Sequence, residues 1–386
     1  MDAFCRRRIS GTLQFAAAVL AVLLAVCAAT FVSSGAATAA PSQTGAQECT
    51  AGVDLLGFSD ALDKQTYEGT SVGGLSALAY DQRRNVYYSL VDNGPLPTSE
   101  ARFYTLRLPT GSGTLGEPRI LDVTTLKDAS GQPFTASNFD GEGLALTRAG
   151  DLLVSSETEP SIRRFSLDGE LLGELPAPRK FRVAPEGQAT RNQTFESLSL
   201  SPSNRSLFTA VEGPLAPDGQ TAEGNNRIRI LRYENRGPGG FELAEEFYYQ
   251  AEPGQGVADI VALSDSELLV LERGFVAGEG NTVRIFRVSL KGADDVSSVE
   301  SLAAPGLEPV EKELLVDLAD CPSGGATTPG TQENPLLDNY ESLALGPRLP
   351  GGSRSLLLQS DDNFSTGQVT RVVALGVENG QPRMGR

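Results

Sequence analysis

The sequence predicts an all-β fold, a β-propeller of four-stranded blades, and three observations point there. A short motif, acid-x-Leu-x-Leu, returns along the chain at long intervals. Each copy is followed by the same order of short apolar runs and turns. Beyond the N-terminal forty residues, no segment of useful length carries a helical period.

In chain order, the first element is an address rather than part of that fold. Arg6, Arg7 and Arg8 precede an apolar run from Phe15 to Val32, and Ala37-Thr38-Ala39 follows it. That is the order of a secretory signal. Residues 1–39 are therefore expected to be removed, 40–52 to form a short lead, 53–378 the propeller domain and 379–386 a tail. The run is also long enough for a retained anchor, but the small residues after it favour cleavage. Export would place the domain outside the cytoplasm, secreted or periplasmic, without stable membrane association and as a monomer. Cys5 and Cys27 leave with the signal, and the remaining Cys49 and Cys321 are expected to form one disulfide.

The repeat itself reads Ser76-Ala77-Leu78-Ala79-Tyr80, Glu142-Gly143-Leu144-Ala145-Leu146, Glu196-Ser197-Leu198-Ser199-Leu200, Asp259-Ile260-Val261-Ala262-Leu263 and Glu341-Ser342-Leu343-Ala344-Leu345. The first copy lacks the acid. After each copy come a turn and a second apolar run: Val86 to Val91, Leu152 to Ser155, Leu207 to Val211, Leu268 to Leu271 and Leu356 to Gln359. Third segments alternate in the manner of half-exposed strands, as from Phe103 to Leu108 and from Val283 to Leu290. Fourth strands read at Arg119 to Val123, Leu171 to Leu175, Phe241 to Tyr249 and Glu313 to Leu318. The last unit lacks a fourth strand, and the isolated run Val53 to Phe58 is expected to supply it and close the ring. That makes five blades; the wide interval between Lys291 and Asn339 leaves room for a sixth. Ring closure would also bring Cys49 and Cys321 to adjacent blades.

In an antiparallel pair, the start of the first strand and the end of the second share one end of the sheet. The starts supply Glu142, Glu196, Asp259 and Glu341; the ends supply Asp92, Glu157, Glu212, Glu272, Asp361 and Asp362. Around a ring these acids would form a mouth. Two carboxylates about 5 Å apart repel by roughly 3 kcal/mol at an effective dielectric near 20, so the mouth requires compensation. Hard oxygen donors suit Ca²⁺, or Mg²⁺, better than zinc or copper. Asp92, Glu157, Asp259, Glu272, Asp361 and Asp362 are the expected metal ligands. Arg102, Arg163, Arg164 and Arg273 follow the strand ends and could pair with the acids instead, or hold an anionic substrate. The same acids could equally cap neighbouring backbone N–H groups with no chemistry involved.

Composition removes whole function classes. The chain holds no histidine, which excludes Ser-His-Asp and Cys-His catalysis and His-ligated zinc. With 32 basic and 49 acidic side chains its net charge is -17, which opposes nucleic-acid binding.

Phe139-Asp140-Gly141-Glu142-Gly143-Leu144, Thr194-Phe195-Glu196-Ser197-Leu198 with Glu212-Gly213-Pro214-Leu215, and Asn339-Tyr340-Glu341-Ser342-Leu343 resemble the phytase-like, "esterase-like activity of phytase" family, over about Gly73 to Leu375. The resemblance implies hydrolysis of phosphoric or other esters, with a divalent cation polarising the phosphoryl oxygen and arginines stabilising developing charge. Carried onto this chain, it makes Glu142, Glu196, Glu212 and Glu341 the expected catalytic acids, as ligands or general base, with Arg102, Arg163 and Arg273 on the substrate. Only five lysines and the acidic balance argue against phytate itself and favour a smaller phosphoester or a carboxylic ester. Two other readings remain open: a secreted binding propeller with structural calcium, and a lactonase-like metal hydrolase.

Overall fold

The computed structural model describes residues 46–96, 98–237 and 240–378. The expected signal segment, residues 40–45 of the lead and the tail lie outside the described residues. Among those residues no helix is long and apolar enough to cross a membrane.

The chain opens with strands β1 (Gln47–Thr50) and β2 (Val53–Ser59), then a small hairpin, β3 (Thr66–Tyr67) and β4 (Thr70–Ser71). Blade 1 is β5 (Leu75–Asp81), β6 (Val86–Val91), β7 (Arg102–Arg107) and β8 (Arg119–Thr125). Blade 2 is β9 (Gly141–Leu146), β10 (Leu152–Ser156), β11 (Ser161–Phe165) and β12 (Leu171–Leu175). Blade 3 is β13 (Ser199–Leu200), β14 (Ser206–Ala210), β15 (Asn225–Asn235) and β16 (Phe241–Pro253). Blade 4 is β17 (Gly256–Ala262), β18 (Glu267–Val276), β19 (Gly280–Ser289) and β20 (Glu311–Asp317). Blade 5 joins β21 (Tyr340–Arg348), β22 (Arg354–Ser360) and β23 (Val372–Val377) to the N-terminal β2 and β1. The propeller thus has five blades, with the N-terminal strand closing the ring as the repeat requires. Two features extend the expectation. Blade 5 has five strands, because β1 folds back on β2. No sixth blade stands among the described residues between Lys291 and Asn339, where β20 serves as the outer strand of blade 4.

Each blade is covered on both faces by its neighbours, so its second strand reads as a continuous apolar run rather than an alternating one. All of Val86–Val91 and all of Leu152–Ser156 are buried. Outer strands face water on one side, and β12 is mostly exposed. The core lies between blades: Leu90, Phe103, Leu144 and Phe165 join blades 1 and 2, and Leu56, Leu78, Tyr104 and Leu357 join blades 5 and 1. Full burial of each such side chain contributes about 1.5–3 kcal/mol. Near the axis the backbones approach too closely for side chains. A Cβ on Gly143 would lie 2.5 Å from Ser155 Oγ and 2.6 Å from the Ser197 carbonyl carbon, so glycine alone fits there. The ring is stapled by the Cys49–Cys321 disulfide, which ties β1 of blade 5 to the end of blade 4 across 272 residues.

Candidate active site

The innermost strands carry a device that alternation does not reveal. Near the start of β5, β9, β17 and β21 the register against the second strand shifts by a β-bulge. Opposite-strand pairs just before the bulge are Leu75↔Val91, Gly141↔Ser156, Val257↔Glu272 and Tyr340↔Ser360, and an isolated bridge, Phe195↔Val211, takes that place in blade 3. Aligning the blades on these pairs gives two rings. The residue after each first-strand partner is Ser76, Glu142, Glu196, Ala258 or Glu341. The residue after each second-strand partner is Asp92, Glu157, Glu212, Arg273 or Asp361. Bulges re-aim side chains, and here they turn these positions toward one opening.

Two expected ligands were therefore placed one residue out. Asp259 lies past the bulge, and its carboxylate accepts from the Ile260 N–H at 2.7 Å and from the Leu343 N–H of blade 5 at 2.7 Å. It caps backbone and fixes the register between blades. Glu272 points away from the mouth, where it accepts from Lys312 Nζ at 2.7 Å, from the Glu252 N–H at 2.8 Å and from the Tyr249 hydroxyl. Its neighbour Arg273 takes the mouth position, because successive side chains on a strand face opposite sides. Asp362 is also a cap, holding the Gly74 N–H at 2.9 Å, the Phe364 N–H at 3.1 Å and Lys64 Nζ.

The remaining acids converge. Asp92, Asp140 and Glu142 each bring an oxygen within 4.8 Å of the others; so do Glu142, Glu196 and Glu341, and so do Glu157, Glu196 and Glu212. Glu142 joins the first group to the second, and Glu196 the second to the third. Asp361 adjoins them, since Asn339 Nδ2 donates both to Glu341 Oε1 at 3.0 Å and to the Asp361 carbonyl at 3.1 Å. Asp140 was not among the expected ligands. It stands on the residue before the strand, in line with Gly74, Thr194, Gly256 and Asn339, and the motif Phe139-Asp140-Gly141-Glu142 contains it. Gly94 makes room for this pair of aspartates: a Cβ there would lie 3.1 Å from an oxygen of each.

Arg273 is the cation of the mouth. Its Nη2 lies 3.0 Å from Glu212 and 3.1 Å from Glu341, and its buried Nε has no partner. Against its burial, Glu341, Glu212, Glu196 and Asp361 hold the guanidinium above its ordinary range. The other expected arginines are engaged elsewhere. Arg102 is buried and donates to Ser99 Oγ at 2.7 Å, Asn93 Oδ1 at 3.1 Å and the Ser71 carbonyl at 3.0 Å. Arg163 stacks over Phe134 and Phe139, each 5.0 Å from the ring centroid, and lies 3.6 Å from Glu159 and from Glu174. Arg164 pairs with Asp151.

One guanidinium does not neutralise eight carboxyls. Burial, with the charges of Asp92, Glu196 and Glu157 added, pushes Glu142 well above the carboxylate range. Burial and the charges of Glu157 and Glu212 do the same to Glu196, and burial with Glu341 and Asp92 to Asp361. Burial and Asp140 push Asp92 up to about 8, and burial and Glu212 push Glu157 up to about 7. Burial raises Asp140, Glu212 and Glu341, with Arg273 easing the last two. Without a cation, the mouth must hold protons near neutral pH.

The donor set tests which cation fits. It consists of carboxylates alone, which suits hard cations better than soft or borderline ones. Asp140 Oδ1 and Glu196 Oε2 are buried and have no hydrogen-bond partner. Orphaned buried oxygens carry a desolvation penalty that a hard dication offsets. The residues present fit Ca²⁺ or Mg²⁺.

A family model described as phytase-like, "esterase-like activity of phytase", matches residues 70–364. Among solved structures, the chain is similar to a virginiamycin B lyase from Staphylococcus aureus (10% identity, TM-score 0.33, covering 81% of this chain and 69% of that one). It is also similar to a PQQ-bound aldose sugar dehydrogenase from Streptomyces coelicolor (15% identity, TM-score 0.34, covering 79% and 80%). Likenesses this distant carry no argument about activity. Among curated proteins none matches significantly.

Proposed function

The chain belongs to the phytase-like (esterase-like activity of phytase) family, and from that premise we propose that it is a secreted, divalent-cation-dependent hydrolase of phosphoric or other esters. The observation that carries this reading is the pair of orphaned buried oxygens, Asp140 Oδ1 and Glu196 Oε2, among converging acids beside Arg273. Asp92, Asp140, Glu142, Glu196 and Glu341 would hold Ca²⁺ or Mg²⁺. When bound, such an ion lowers the charge of the mouth and acts as a Lewis acid toward an ester oxygen.

The chain's own residues divide the remaining work by position. Blade 4 contributes Ala258 and Arg273 where blades 2, 3 and 5 contribute two acids each and blade 1 contributes Ser76 and Asp92, so the two acidic rings are interrupted most fully at blade 4. An anionic ester would approach most favourably there, toward the Arg273 guanidinium. Glu212 and Glu341 hold that guanidinium in place. To Glu157 and Glu212, which follow the second strands, this reading gives the role of accepting a proton from an attacking water. The disulfide supports export into an oxidising compartment.

The backbone caps at Asp259 and Asp362 favour a second reading, a binding propeller in which acids serve register and structural calcium alone. One experiment separates the two. Phosphate release and model-ester hydrolysis are measured on the purified protein with and without chelator, beside a folded Glu196→Gln/Glu212→Gln variant. Turnover that needs the cation and vanishes in the variant supports the hydrolase. Chelator-sensitive melting with no turnover on any ester establishes the binding module.

A further inference from the structure

We propose that the end of the central channel opposite the acidic mouth binds a small phosphate-class oxyanion, held by arginines from blades 1, 2 and 5. This assignment does not rest on the hydrolytic reading. Blades 2, 3 and 5 carry Glu142, Glu196 and Glu341 at one end of the channel; at the other, the last residues of the five innermost strands and the turns that follow line a cavity of about 810 Å³. Its volume is in the range of small-molecule sites. Arg83, Arg148, Arg348 and Arg354 all line it, and the one carboxylate lining it is Asp81.

Asp81 is already taken. It is buried and accepts from the Arg83 N–H at 2.8 Å, the Arg84 N–H at 3.2 Å and the Arg84 guanidinium at 2.9 Å, with Arg83 Nε at 3.9 Å. Among the described residues, Arg148, Arg348 and Arg354 have no acidic partner. In a chain with net charge -17, four arginines around one spent carboxylate are a local reversal of sign.

A second, independent observation is the placing of Arg348 directly opposite Arg354 across the β21–β22 pair. Like charges in register destabilise a sheet unless an anion lies between them. Burial and Arg348 together hold Arg354 below the ordinary guanidinium range. Among the described residues Arg354 donates only Nε, to the Gly346 carbonyl at 3.0 Å, which leaves its two Nη groups for a ligand. Blades 3 and 4 show the alternative the fold could have used: there Arg205, in the corresponding turn, is matched by Asp265 of the next blade, with Nε at 3.0 Å. The planar fork of arginine suits phosphate oxygens, whether of the free ion or of a monoester.

The test is isothermal titration of inorganic phosphate and of glycerol phosphate into the full protein in EDTA, where the cation-free acidic mouth repels anions. Wild type is compared with Arg148→Gln/Arg348→Gln, with Arg354→Gln, and with Arg273→Gln as the mouth control. Arg148 and Arg348 are exposed, so folding is not at stake in the double variant. One site per chain is expected, weakened at least tenfold in the double variant and unchanged in Arg273→Gln. The tighter of the two probes then identifies the ligand as free ion or monoester. The proposal is overturned by absence of binding to wild type. It is equally overturned by binding that Arg273→Gln abolishes, or by a loss that Arg119→Gln, an exposed arginine outside the cavity, reproduces.

Discussion

Raising the pH of the cation-free protein from 4 to 9 should destabilise it progressively, in the opposite sense to ordinary acid denaturation. Asp92 and Glu157 have folded-state values of about 8 and about 7, above their ordinary 3.8 and 4.5. The folded state therefore holds protons more tightly than the unfolded chain. The stability this confers is complete below about pH 4 and is lost as pH rises through 7 to 8. At 1.36 kcal/mol per unit, Glu157 alone corresponds to roughly 3 kcal/mol and Asp92 alone to roughly 6. The two belong to one network of carboxyls, so the effects do not add, and a loss on the order of 5 kcal/mol is expected. For a chain of this size that lowers Tm by on the order of 10 °C. The acid limb is governed by other groups: against its burial, Ser203, Ser201 and Arg205 hold Asp265 down to about 2, and its contribution is lost only as pH falls toward that value. Thermal melts in EDTA across pH 3–9, repeated with Ca²⁺, measure both limbs. Calcium at a hundredfold its Kd should restore about 2.7 kcal/mol, and most visibly at the alkaline end, where the carboxylates need no protons. A Tm in EDTA that is level or rising between pH 4 and 8 would refute the reasoning, because it would mean that the mouth tolerates its full charge unaided.

Two further perturbations separate structural acids from mouth acids. Asp259→Ala removes the acceptor of the Ile260 and Leu343 N–H groups; it should cost about 1–3 kcal/mol in urea titration yet leave the calcium-induced rise in Tm intact, and loss of that rise would return Asp259 to the site. Cys49→Ser/Cys321→Ser opens the closure between blades 4 and 5; the chain-entropy model gives an upper bound of about 5 kcal/mol for so long a loop, read as a lower denaturant midpoint with a larger m because the unfolded chain expands, and an unchanged midpoint would show that β1 and β2 close the ring without help.

The fold was legible in this sequence because its evidence is redundant. Five copies of one order of strands survive an irregular β13 and a blade that borrows β2 from the N-terminus, and the disulfide follows from that topology. The site was legible only where a carboxylate coincides with the repeat. Glu142, Glu196, Glu341, Asp92, Glu157, Glu212 and Asp361 fall in place from the strand ends alone, whereas blade 4 misleads. There Asp259 and Glu272 look like the missing members of two acidic rings, but the pair Val257↔Glu272 aligns with Gly141↔Ser156 and Tyr340↔Ser360, which puts Ala258 and Arg273 in the rings, and on a strand one residue is a change of face. Asp140 escaped for the complementary reason: it precedes its strand, at a position occupied by glycine, threonine or asparagine in the other blades, so the repeat gives no signal for it beyond its own motif. Both misreadings concern the same property. A ring of identical acids would be a symmetric trap for a cation and would repel any anionic substrate from every side. The departures from the repeat, Ser76 in blade 1, Ala258 and Arg273 in blade 4 and the extra Asp140 in blade 2, make the charge uneven around the ring, concentrating carboxyls at blade 2 and placing a guanidinium between Glu212 and Glu341 at blade 4. The chemistry proposed for the mouth depends on that asymmetry, which the repeat by its nature cannot encode.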